Sequence, residues 1–139
     1  MKTTITWKGD ARFDAESGSG HTVRLDGPPD HGGRNGGPRP MELVLMGMGA
    51  CTAFDVVLIL RKGRVDITDC VAEVSAERAQ TDPKVFTAIH VHFVVTGRNL
   101  PPAQIERAIK LSAEKYCSAS IMLAKTARIT HDFEIRDAG

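Results

Sequence analysis

The sequence predicts an α+β fold in which antiparallel sheets pack around one long central helix. Three observations predict it. Strand and helix signals fall in blocks rather than in strict alternation: three strands, a long helix, two strands, a helix, a short helix and a last strand. The stretch from Pro40 to Gly63, PMELVLMGMGACTAFDVVLILRKG, is apolar on almost every face and holds its only proline at its first position. Val85 to Thr96, VFTAIHVHFVVT, is the strongest strand signal in the chain, set across Asp82-Pro83 from a second strand-like run. With 139 residues the chain is expected to form a single domain, residues 1–139, with a real core.

Residues 2–8, KTTITWK, are β-branched and aromatic, and residues 10–17 read as the return strand of a hairpin. Gly18 to Gly20 make a turn into His21–Asp26, HTVRLD, where alternation puts Val23 and Leu25 on one face and Thr22 and Arg24 on the other. Gly27 to Pro38, GPPDHGGRNGGP, has no periodicity and no large apolar residue, so it reads as a loop or mobile flap. In the long helix, Arg61 and Lys62 supply a cationic last turn and Gly63 the stop. About 23 residues at about 1.5 Å each make a rod of about 34 Å. Such a rod is expected to be surrounded by protein, and one small sheet is too little cover, so an intertwined homodimer is predicted.

Val65 to Gln80 alternates with interruptions and is expected to be a twisted or bulged strand pairing with Val85–Thr96. A second helix opens at Pro101-Pro102, with Ile105, Ala108, Ile109, Ser112 and Tyr116 as its inward stripe. Ser118 or Ser120 is expected to cap a short helix through Leu123, and Ala127 to Ile135 to form the last strand.

The formal net charge of +1 gives no electrostatic reason to expect nucleic acid or an anionic membrane as partner. The N-terminal MKTTITWKGDARF has no apolar leader region, and Glu42, Asp55 and the glycines argue against the central run as a membrane span. A cytoplasmic protein is expected. Three cysteines without a CxxC pair fit neither a disulfide scaffold nor a zinc site, and suit a reducing compartment with one or two working thiols. His90 and His92 share a strand face but have no third ligand at metal-site spacing, and no phosphate loop or dinucleotide fingerprint is present, so neither metal nor cofactor is expected.

Chemistry therefore centres on the thiols. Cys70 lies among valines and reads as core. Cys51 is flanked by Gly47, Gly49, Ala50 and Ala53, which allow another backbone or a ligand to approach closely. Cys117 sits at the start of the short helix, where free N–H groups favour a thiolate. A reactive thiol needs a cation, and Arg24 is the best candidate. Two carboxylates on the helix compete to hold that cation: Asp55, one turn on and about 40° round the axis from Cys51, and Glu42, about 180° away. Asp55 alone would raise the thiol pKa, so it helps only if an arginine joins it.

These residues point to a family. RPMELVLMGMGACTAFDVV resembles the OsmC/Ohr family of thiol-dependent hydroperoxide reductases, in which a proline and a carboxylate open a long helix carrying the peroxidatic cysteine. EKYCSASIML is similar to the segment with that family's second cysteine, and AESG and VRLDG to its N-terminal strands, so the resemblance covers essentially the whole chain. MELVLM, DVVLILRKGR and LSAEKYCS are most like the YhfA-like branch.

The resemblance implies an OsmC-like fold and a homodimer without cofactor. Cys51 would attack an organic hydroperoxide and become a sulfenic acid, Cys117 would condense with it as a disulfide, and an external dithiol would reduce the pair. Arg24 would stabilise the thiolate and orient the peroxide. The family's glutamate lies ten residues before the cysteine; Met41 stands there in this chain, with Glu42 displaced by one, so Glu42 and Asp55 both remain candidates. Two other readings stay open: an OsmC-like protein with weak or no peroxidase activity that binds a small apolar or acyl ligand beside the central helix, and a structural dimer with unreactive core cysteines.

Overall fold

A computed structural model describes all 139 residues. In chain order the elements are β1 (Thr3–Trp7), β2 (Arg12–Ser17), β3 (Thr22–Asp26), a 3-10 turn (Pro29–His31), α1 (Pro40–Lys62), β4 (Ile67–Arg78), β5 (Phe86–Gly97), α2 (Pro102–Leu111), a π-helical segment (Ser112–Tyr116), α3 (Ser118–Leu123) and β6 (Arg128–Asp137). This is the α+β order read from the sequence. The chain forms two compact units, Met1–Leu45 and Met46–Gly139, and passes from one to the other inside α1.

In the first unit β1, β2 and β3 form an antiparallel meander, with Trp7 opposite Phe13 and Asp14 opposite Arg24. The glycine-rich segment after β3 is not a loose flap. Asp26 is 1% exposed, and its Oδ2 accepts the backbone N–H groups of Arg34 at 2.9 Å and Gly36 at 3.0 Å. A Cβ on Gly33 would collide with the Gly27 carbonyl, and one on Gly37 with the Arg24 carbonyl. The glycines thus serve close packing on a buried carboxylate, which periodicity does not reveal. Arg39 N–H donates to Glu42 Oε1 at 2.8 Å, while the Arg39 carbonyl accepts Leu43 N–H, so Glu42 closes the start of α1 as the acidic half of a capping box.

In the second unit the sheet order is β4-β5-β6. β4 and β5 form the expected antiparallel hairpin, with register shifts at Ile67/Asp69 and Glu77/Arg78. β6, however, pairs parallel to β5 from Ala88↔Arg128 to Gly97↔Asp137, so this sheet is mixed rather than antiparallel throughout. The helices between β5 and β6 supply the long crossover that parallel neighbours require. Period-two alternation in β5 buries Ile89, Val91, Phe93 and Val95 and leaves His90 and His92 on the other face.

α1 is long and apolar enough to cross a bilayer on length and composition, but it packs against this unit along one stripe. Met48, Thr52, Val56 and Leu60 are buried at i, i+4 spacing, and a Cβ on Gly49 would stand 2.9 Å from Val74 Cγ2. The rest of the helix is not surrounded within one chain: Val44, Met46, Phe54 and Leu58 are exposed by 40% or more. A single three-stranded sheet covers only one side of a helix, which is why an all-round apolar helix keeps a bare face here.

Candidate active site

Ile105, Ala108 and Ile109 of α2 are buried as the helical stripe predicts, and Ser112 continues it. Tyr116 does not, and is 51% exposed. From Ser112 the chain widens into a π-helical turn, closed by Cys117 N–H on the Ser112 carbonyl at 2.8 Å. That extra residue in the turn shifts everything after it out of the α-helical phase, so Tyr116 swings to solvent.

The segment ends at Cys117, which is fully buried. Cys117, not Ser118 or Ser120, is the N-cap of α3: its Sγ accepts Ser120 N–H at 3.3 Å and the Ser120 hydroxyl at 3.0 Å. The Cys51 side chain, half-buried on α1, is in hydrogen-bond contact with Cys117. All three cysteines are free thiols.

Burial pushes the Cys117 thiol above its ordinary value, and this outweighs the downward pull of the two Ser120 donors; the contact with Cys51 pushes it further up. The sequence reading of Cys117 as a site favouring thiolate therefore fails: the helix start is there, but desolvation wins. Cys117 keeps its proton and is positioned as a donor toward Cys51. Cys70, on β4, is likewise raised, by burial and then by Asp69 beside it.

Next to the thiols a buried polar network ties α1 to the π-helical segment. Ser112 Oγ is 2.8 Å from Thr52 Oγ1 and donates to Asp55 Oδ2 at 2.9 Å; Thr52 and Ser112 are both fully buried. Asp55 is thus held by a hydroxyl, not by the arginine that its role at the thiol called for. It lines a cavity of about 540 Å³ walled by Leu58, Ile59, Leu111 and Tyr116, with Lys62 and Arg107 at its edge.

Arg24 and Glu42 belong to the first unit and have local partners there. Arg24 Nε donates to Asp14 Oδ1 at 3.2 Å across the β2/β3 register, and Glu42 is occupied by the Arg39 N–H. Cys51 and Cys117, 66 positions apart (117 minus 51), are thus brought together, and Asp55 joins them through Ser112. Asp14 and the hydroxyl roles of Thr52, Ser112 and Ser120 were missed. Asp14 had a signal, since pairing the two strands across the Gly18–Gly20 turn sets it beside Arg24; the hydroxyls had none, because a buried serine on an apolar stripe reads as filler.

On the outer face of the second sheet, Asp132 Oδ1 contacts His90 Nε2 at 2.8 Å and His92 Nδ1 at 2.7 Å, and Glu134 Oε1 contacts His92 Nε2 at 3.2 Å. Hydrogen bonds from Asp132 and then Glu134 raise the His92 pKa, so this link is complete below about 6.5 and is lost as pH rises through the raised value. No group of three His, Cys, Asp or Glu side chains is arranged to hold a metal ion.

The family model described as OsmC-like protein matches residues 32–132. Protein YhfA of Escherichia coli K12 is 46% identical over 138 residues, covering 97% of this chain and 98% of that protein. The crystal structure of a hypothetical protein from Aquifex aeolicus VF5 superposes with a TM-score of 0.87 at 25% identity, over 99% of this chain and 97% of that one. The organic hydroperoxide resistance protein OhrB of Bacillus subtilis shares the fold, with a TM-score of 0.64 at 20% identity over 96% of each chain.

Proposed function

The chain belongs to the OsmC-like family, and from that premise we propose that it is a thiol-dependent peroxidase reducing organic hydroperoxides, with Cys51 peroxidatic and Cys117 resolving. The observation that carries this is the contact between a half-buried Cys51 and a fully buried, protonated Cys117. The two sulfurs have different jobs because their surroundings differ: Cys51 is open to a substrate, whereas Cys117 reaches nothing but Cys51 and Ser120.

The Cys51 thiolate attacks one peroxide oxygen, the O–O bond breaks, and the alcohol leaves after taking up a proton, leaving a sulfenic acid. Cys117 then attacks that sulfur, water leaves, and a disulfide forms. An external dithiol restores both thiols by exchange. Arg24 stabilises the thiolate and orients the peroxide. Asp55 is the better candidate for the carboxylate, since Ser112, which holds it, begins the segment leading to Cys117, and Glu42 is committed to capping α1. No cofactor takes part in these steps.

We place the protein in the cytoplasm as a homodimer, acting as one OsmC-like domain, with neither nucleic acid nor membrane as partner. The bare apolar side of α1 supports the dimer, Phe54 being 67% exposed. Phe54→Asp is expected to convert the parent, twice the 15.0 kDa chain mass in sedimentation, into a single 15.0 kDa species. An unchanged mass would count against α1 as the dimer surface.

Counting free thiols tests the chemistry. On treatment with cumene hydroperoxide the reduced parent should lose two thiols per chain, whereas Cys51→Ser should lose none and Cys117→Ser should form no intramolecular disulfide. Unchanged thiols in the parent at every dose would remove the peroxidase reading. The second reading, binding of a small apolar or acyl ligand, is favoured by a cavity of about 530 Å³ in the first unit, lined chiefly by Ile5, Phe13, Val23, Leu25 and Leu43.

A further inference from the structure

We propose that Ser112 is a positioning residue that presents Cys117 to Cys51, by clamping the π-helical segment onto α1 through one hydrogen-bonded chain from Thr52 to Ser112 to Asp55. The proposal rests on the Cys51–Cys117 pairing just described. It does not depend on which oxidant acts on Cys51.

Proton counting orders the chain. A serine hydroxyl has one proton to give. Ser112 gives it to Asp55 Oδ2 at 2.9 Å, so the 2.8 Å contact with Thr52 Oγ1 has Thr52 as donor. Both α1 partners lie within one turn of the thiol, Thr52 being the next residue and Asp55 four residues on. The other side of Ser112 faces Cys117, whose backbone N–H it accepts at 2.8 Å. One fully buried residue therefore holds the Cys51 helix by its side chain and the Cys117 backbone by its carbonyl.

The π-helical turn gives this clamp something to hold. A π turn carries one residue more than an α turn, and relaxing it into the α register would rotate the residues beyond it by about 100° about the axis. Such a rotation would carry Cys117 away from Cys51. A π turn is intrinsically disfavoured, so it persists where surrounding contacts over-determine it, and the Ser112 chain is a buried, fully donated set of such contacts. The condensation needs this placement: the Cys117 sulfur must reach about 2.05 Å from the Cys51 sulfur, at a dihedral near 90°.

A disulfide probe isolates the step. In a Cys70→Ala background, one equivalent of 4,4′-dithiodipyridine should react in two phases. Cys51 first attacks the probe, forming a mixed disulfide and releasing one thiopyridone. Cys117 then attacks the Cys51 sulfur, forming the protein disulfide and releasing the second thiopyridone. Ser112→Ala is expected to leave the first phase within about twofold and to slow the second at least tenfold. Thr52→Ala, which removes only one donor, should slow the second phase about threefold and carries the test if Ser112→Ala does not fold. A second phase at the parent rate in these variants, or both phases slowed together, would overturn the proposal. The peroxidase reading is scored separately, by dimedone capture of a Cys51 sulfenic acid after cumene hydroperoxide. No capture with the expected two-phase pattern sinks the peroxidase and keeps the clamp; capture with an unaltered second phase does the reverse.

Discussion

Asp26→Ala is expected to release the loop between β3 and α1, with amide exchange at Arg34 and Gly36 accelerated about tenfold or more, the scale of losing a hydrogen bond to a charged acceptor. Both N–H groups end on Asp26 Oδ2, and no other partner is in place to take them. The same bonds, Gly36 first and Arg34 second, hold the Asp26 pKa below its ordinary 3.8. A depressed carboxylate stabilises the folded state fully above the unfolded value and loses that contribution as pH falls through the lower folded one. The loop should therefore stay protected from neutral pH down to about 4 and open below it. Asp26→Asn keeps an acceptor oxygen but cannot titrate, so its protection should be weaker and flat across the same range. A parent loop whose exchange, corrected for intrinsic rates, is the same at pH 6 and pH 2.5 would contradict this account.

Phe93→Ala should cost about 3–5 kcal/mol of stability, the range for emptying a fully buried aromatic site. Phe93 sits mid-β5, 0% exposed, opposite Ala72 of β4 and Phe133 of β6, with the His131 ring stacked at a centroid distance of 6.3 Å. Strands on both sides limit how far the site can collapse, which favours the upper part of the range. A domain of this size has about 5–15 kcal/mol in total, so the variant should unfold at markedly lower urea with an unchanged m-value. A midpoint shift worth under about 1 kcal/mol would mean that β5 is not the centre of this core.

The elements of the fold were legible because each announces itself locally. Pro40 and Gly63 bracket α1 to within one residue of its observed end, and β4 and β5 follow from β-branched runs on either side of a turn. What went wrong was partner choice. β6 alternates apolar and polar residues as any half-buried strand does, and nothing in RITHDFEIRD says that it will run parallel to β5. The candidate site divides the same way. Cys51 and Cys117 stood out by residue type and setting, and their side chains do meet. The ionisable groups around them did not follow: Arg24 pairs with Asp14, Glu42 with a backbone N–H, and Asp55 with Ser112.

By itself the sequence determined the order and extent of the elements, the family and the two thiols, because propensity, period and chain punctuation act between residues a few positions apart. Tertiary structure alone decided the direction of β6, the tethering of the glycine loop on Asp26 and the protonated state of Cys117. It also decided the π-helical turn and the hydroxyl chain beneath it. All of these depend on desolvation or on hydrogen bonds between residues distant in the chain. A thiol at a helix start is the same string of letters whether water reaches it or not, and burial settles which way its proton goes.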